Sequence, residues 1–147
     1  MIIMYLRRVV FMKKKVLIPL DGSNRDLISI NYLKEHFNPE DTEVLLLNVG
    51  DIVYAHGIVV SHLITIEKDN AQVMLDRAKK LLNKFDCTAE FQFGYIDKTI
   101  INYSVVDKVD IIIMTKHNKG IRIPFMGSVV NKVVKKAKCT VIVLSEI

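Results

Sequence analysis

At 147 residues, half of them hydrophobic and a quarter charged, the chain has the size and balance of one folded domain rather than of a disordered segment. No apolar run approaches the roughly 18–20 residues that span a bilayer, so a membrane partner is not expected. The net charge of +5 fits a nucleic-acid binder or a lysine-solvated surface. The Lys13-Lys14-Lys15 cluster and the later Lys132, Lys135, Lys136 and Lys138 come without interleaved aromatics or a nucleic-acid motif, which favours the solvated surface.

Residues 1–11, MIIMYLRRVVF, read as an extension ahead of the domain. Arg7 and Arg8 lie inside its apolar run and no small-residue cleavage site follows, unlike a signal peptide. Met12, just before KKKVLIPLDGS, is the alternative start, and the domain is expected over residues 12–147.

Val16 to Leu20 reads as a strand buried on both faces, ending in the turn residues Asp21-Gly22-Ser23. A helix follows from about Asn24 to Phe37, with Leu27, Ile30, Leu33 and Phe37 on one face. Val44 to Val49 is a second buried strand, closed by Gly50-Asp51, and Ile52 to Val60 has no period and reads as a loop. A long helix from about Ser61 to Phe85 sets Ala71, Met74, Leu75, Ala78, Leu81, Leu82 and Phe85 inward.

Ala89 to Phe93 is a third strand, and a helix from about Asp97 to Val106 turns Ile100, Ile101 and Val105 inward. Val109 to Met114 is the fourth strand, followed by a loop. The last helix, about Ser128 to Ala137, buries Val129, Val130, Val133, Val134 and Ala137, and Thr140 to Leu144 is the fifth strand. Cys87 and Cys139 have no CxxC or metal-ligand spacing and read as reduced, buried thiols of a cytoplasmic protein. Compact apolar strands joined by helices predict one doubly wound α/β domain with a parallel sheet covered on both faces.

In such a sheet, ligands bind beyond the carboxyl ends of the strands, where the strand order reverses. Asp21, Val49 and the segment from Thr115 to Ser128 meet there if strands one and four are neighbours. Asp21 is placed either to accept from a ribose hydroxyl or to cap the first turn. Gly127-Ser128 offers backbone N–H groups and a hydroxyl to a phosphate, or is an ordinary helix start. His117 is either a phosphate contact and proton shuttle or an exposed loop residue. His36, His56 and His62 show no metal-binding spacing, Ser23 and Ser128 lack triad partners, and Asp21 and Asp51 read as separate structural aspartates rather than as a Mg²⁺ pair.

KVLIPLDGS, LLLNV, DIIIMTKHNKG and GSVVNKVVKKAKCTVIVL, in this order and spacing, resemble the universal stress protein family from Met12 to Ile147. The resemblance implies an adenine nucleotide alpha hydrolase-like fold: a five-stranded parallel sheet of order 3-2-1-4-5 with helices on both faces. It implies a homodimer made through the final strand, around Val141 and Val143, acting as a regulator with an unknown protein partner in a stress response. It also implies a crevice for ATP or another adenine nucleotide, with Mg²⁺ accompanying the phosphates. The implied binding residues are Pro19, Leu20, Asp21, Val49, Met114, Thr115, Asn118, Gly127, Ser128, Val129 and Val130.

The family's nucleotide binders carry G-x2-G-x9-G-S/T after strand four. Here Thr115 and Asn118 replace the first two glycines, and the interval from Asn118 to Gly127 is one residue shorter. Asn tolerates a left-handed backbone, whereas Thr115 adds a β-branched side chain where backbone approaches the ligand, and Pro124 removes a donor. A nucleotide-free dimeric interaction module of the same fold is therefore the alternative. Lys116, Lys119 and Arg122 offer charge for slow ATP hydrolysis, but no base is evident. A receiver-like phosphorylation switch is set aside because the third strand ends in Gly94-Tyr95 rather than in an aspartate.

Overall fold

The computed structural model describes residues 12–50, 54–55, 58–59, 61–117 and 127–146. The extension over residues 1–11 and the candidates Asp51, His56, Asn118, Lys119, Arg122 and Pro124 lie outside them. The elements are β1 (Lys14–Leu20), α1 (Arg25–His36), β2 (Thr42–Gly50), β3 (Tyr54–Ala55), β4 (Ile58–Val59), α2 (Ser61–Leu81), β5 (Asp86–Phe93), α3 (Ile96–Val106), β6 (Ile111–Lys116), α4 (Ser128–Lys136) and β7 (Thr140–Ser145).

Five strands form one parallel sheet in the order β5-β2-β1-β6-β7, which is 3-2-1-4-5 when these strands are numbered along the chain. The chain builds outward from β1 to β5, then returns through α3 to place β6 on the free side of β1. Val16 and Leu17 of β1 register with Ile111 and Ile112 of β6. The reversal of strand order therefore falls between β1 and β6, where a crevice opens beyond the strand ends.

Alternation along the strands splits the core into two layers. Val16, Ile18 and Leu20 of β1, with Val44 and Leu46 of β2, pack against Ile30 and Leu33 of α1 and Leu75, Ala78 and Leu82 from α2 and the turn after it. Leu17, Leu45, Leu47, Ile112 and Met114 face the other way, onto Ile100 of α3 and Val130 and Val133 of α4. Burial on both faces is why these strands read as continuous apolar runs. Each fully buried Leu or Ile contributes about 1.5–3 kcal/mol of apolar transfer free energy.

Four helix positions expected in the core are exposed instead: Leu27, Leu81, Val105 and Val134. Leu27, Leu81 and Val105 sit at the borders of their apolar stripes, where the helix surface turns away from the sheet. Val134 lies on the flank of α4 away from α3; Lys132, 3.8 Å from Asp97, marks the flank that faces α3.

Three other expectations shift. The loop expected over 52–60 contains the short antiparallel pair β3–β4, with Tyr54 opposite Val59 and Ala55 opposite Ile58. Helix α2 stops at Leu81, and the chain turns through hydrogen bonds from the Leu82 N–H to the Lys79 carbonyl (3.1 Å) and from Phe85 to Leu82 (2.9 Å). Strand β6 begins at Ile111, because the Val109 N–H donates back to the Ser104 carbonyl of α3 (2.9 Å). Cys87 and Cys139 are free thiols, partly buried, and burial pushes the Cys87 thiol up to about 11.

Candidate functional site

The turn after β1 builds the first wall of the crevice. Gly22 takes a positive φ of 82°, which a side chain would strain, and this carries the backbone from the strand into α1. Asp26, in the first turn of α1, closes the turn by accepting from the Asp21 N–H (3.1 Å) and the Gly22 N–H (2.8 Å), one on each carboxylate oxygen. Burial is the main force pushing the Asp26 carboxyl up to about 6; the neighbouring Asp21 charge adds to it, and the two backbone bonds oppose it.

Asp21 does local work with one oxygen and points outward with the other. Its Oδ1 accepts from the Ser23 N–H at 2.9 Å, and its Oδ2 accepts from Arg25 Nη2 at 2.6 Å. Burial acts to raise this carboxyl, but the bonds from Ser23 and Arg25 and the Arg25 charge outweigh it and hold the group below its ordinary value. The helix α1 itself has no side-chain cap at Asn24.

The opposite wall comes from β6 and α4. Met114 is buried in the floor beside Ile100 and Val130. Thr115, on the other face of the strand, meets α1: its Oγ1 lies 2.9 Å from Ser29 Oγ, and the Ser29 residue is buried. The side chain expected to obstruct the ligand makes this hydroxyl pair and also lines the cavity. His117 follows at the rim, with Nδ1 hydrogen-bonded to Arg25 Nη1 and 3.5 Å from Glu146 Oε2.

Gly127 precedes α4 with φ −47° and ψ 149°, a conformation open to any L residue. An added Cβ there would meet no described atom within 4 Å. Neither backbone strain nor packing among the described residues asks for glycine at this position. The helix that follows has no side-chain cap among the described residues, and its first N–H groups carry the favourable dipole end for an anion.

These walls enclose a cavity of about 270 Å³ lined by Pro19, Leu20, Asp21, Met114, Thr115, Gly127, Ser128, Val129 and Val130. Val49 does not line it; the residue is half-buried in β2 and packs on the α3–α4 side of the core. Asn118 lies outside the described residues. The cavity also takes in Arg25, Asp26, Ser29, Ile96, Ile100 and His117. Of these, sequence reading raised only His117 as a ligand contact. The Asp21–Arg25 spacing of four was the available signal, since it sets two opposite charges together at a helix start.

The arrangement joins a carboxylate able to accept from hydroxyls, an apolar floor and a helix start. Such a set offers partners for hydroxyls, an apolar ring and an anion. Among the described residues, no group of three or more His, Cys, Asp or Glu side chains is set to hold a metal ion.

The model of the universal stress protein family matches residues 12–145. Universal stress protein MJ0531 of Methanocaldococcus jannaschii is 27% identical over 143 residues, covering 90% of this chain and 82% of that protein. Among solved structures, the hypothetical protein MJ0577 superposes with a TM-score of 0.74 at 27% identity, over 92% of this chain and 98% of that one. A universal stress protein family protein from Arabidopsis thaliana, solved with AMP bound, has the same fold with a TM-score of 0.70 at 19% identity, over 91% of this chain and 92% of that one. The chain belongs to the universal stress protein family.

Proposed function

We propose that this protein is a nucleotide-responsive regulator that takes an adenine nucleotide, ATP or a smaller relative, in the crevice between β1 and β6. The observation that carries the reading is Gly127. The fold as described makes no demand for glycine there, and the space it leaves opens onto the crevice at the start of α4. A phosphate seated there meets backbone N–H groups with no Cβ in the way, while Asp21 faces the ribose. Mg²⁺ would arrive with ATP, held by the phosphates. The Arabidopsis relative with AMP bound supports the same class of ligand.

The protein also reads as a homodimer through β7. This strand pairs with β6 on one side only, and Val141, Ile142, Val143 and Leu144 are all part-exposed. The opposite edge, β5, alternates exposed polar residues (Thr88, Glu90, Gln92) with sheltered ones, which makes it a poor template for pairing. No helix among the described residues is long and apolar enough to cross a membrane, and a cytoplasmic location suits the two free thiols.

The second reading, a nucleotide-free dimeric interaction module, is favoured by Thr115 at a position where the family's nucleotide binders carry glycine. Nucleotide released from the purified protein by heat, identified by mass spectrometry, separates the two. The first reading predicts an adenine nucleotide in the released fraction or, from a washed protein, binding heat on titration with Mg-ATP or AMP. A protein that releases none and shows no heat at millimolar nucleotide is the interaction module.

A further inference from the structure

We infer that Arg25 is the side chain that recognises the ribose-proximal phosphate of the crevice's ligand, with Asp21 and His117 holding it in place beforehand. The inference rests on the adenine-nucleotide reading above and names the residue that distinguishes a nucleotide from a bare nucleoside.

The Arg25 side chain keeps 21% of its surface exposed, whereas its partner Asp21 keeps 55%. The cation is the more sheltered member of the pair, and both side chains line the cavity. An ion pair placed only to staple the first turn of a helix would gain little from this arrangement, since exposed pairs are worth about 0–1 kcal/mol.

Arg25 also keeps unused donors. A guanidinium carries five N–H bonds in a planar fork that matches two oxygens of a phosphate. One Nη2 bond goes to Asp21 Oδ2, and one Nη1 bond goes to His117 Nδ1. The other three have no partner among the described residues. Arginine does not give up its proton, so it is the donor in the His117 contact. The two contacts orient the fork without exhausting it.

Arg25 lines the same cavity as Gly127 and Ser128, so a group seated there has a guanidinium from α1 on one side and the start of α4 on the other. Asp26, the other carboxylate of the lining, is occupied by the Asp21 and Gly22 N–H groups. Among the described lining residues, Arg25 is the one permanent cation. It takes over part of the phosphate contact that a glycine at position 115 would leave to backbone.

Calorimetric titration of adenosine, AMP and ATP into wild type, Arg25→Gln and Arg25→Lys tests this. Wild type should bind AMP and ATP more tightly than adenosine. Arg25→Gln should cut AMP and ATP affinity by about tenfold or more, the scale of one charge-assisted phosphate contact. Adenosine, which lacks the phosphate, should lose little, and its binding also reports that the variant is folded. Arg25→Lys should recover part of the loss, because it restores the charge without the fork. Equal losses for adenosine and AMP would make Arg25 a structural residue and overturn the inference, as would a wild type that does not distinguish them. A wild type that binds none of the three overturns the nucleotide reading itself, and the inference falls with it.

Discussion

Two hollows take part of their lining from α3, and the larger one has the weaker claim to be a binding site. The groove beside the edge strand β5 has a volume of about 660 Å³, against about 270 Å³ for the crevice between β1 and β6. In the groove, polar side chains serve one another along a solvated strand face. Tyr103 donates to Glu90 at 2.9 Å, Lys98 Nζ lies 4.7 Å over the Tyr95 ring, and Tyr95 is 73% exposed. In the crevice, the ends of two central strands and the starts of α1, α3 and α4 converge, with buried Met114, Ile100 and Val130 beneath them. Convergence of backbone ends on an apolar floor marks a ligand site better than volume does.

The sharpest way to break this comparison is Gly127→Val. It should lower nucleotide affinity about 100-fold or more, roughly 2.7 kcal/mol, by placing a branched side chain where phosphate sits. The melting temperature should barely move, because an added Cβ meets no described atom within 4 Å. Unchanged affinity, measured calorimetrically, would move the ligand out of the crevice.

Asp26→Asn gives an intermediate effect, read as a pH dependence. The folded carboxyl titrates at about 6, above its ordinary 3.8, so protonation favours the folded state. This contribution is fully present below pH 3.8 and is lost as pH rises through about 6. Urea midpoints of wild type relative to Asp26→Asn should therefore fall between pH 4 and pH 7. After discounting for solvent contact, the change is on the order of 1–2 kcal/mol. A difference between the two proteins that is flat across this range would show that the two backbone hydrogen bonds to Asp26 keep it ionised.

Tyr103→Phe, in the groove, should do least. It removes one exposed hydrogen bond to Glu90, costs about 0.5 kcal/mol or less, and leaves nucleotide affinity unchanged. Burial, with Glu90 assisting, pushes the Tyr103 hydroxyl up to about 12, so it stays a donor throughout the neutral range.

The fold was legible because strands such as Val16 to Leu20 and Val44 to Val49 are buried on both faces and so form unbroken apolar runs. The β3–β4 pair was not, since strands of two residues are too short to show a period. Asp21, Gly127 and Ser128 were legible as turn and helix-start residues beside strand ends. Ser29 and Ile100 were not: Ile100 reads as part of a core-facing stripe and Ser29 carries no signal of its own, and only the approach of β6 and α4 makes them crevice walls. The Ser29–Thr115 contact joins residues 86 apart, with no local pattern to announce it. The reading of Thr115 did not include its hydroxyl contact with α1.

The most direct measurement is a ¹⁵N–¹H NMR titration of the protein with AMP, following each amide. Binding in the crevice predicts shifts at Leu20, Asp21, Arg25, Thr115, Ser128 and Val129, with Glu90, Lys98 and Asn102 unmoved. Shifts confined to Tyr95, Lys98 and Asn102 would place the ligand in the β5 groove, and an unchanged spectrum at millimolar AMP would remove the nucleotide from this protein's function.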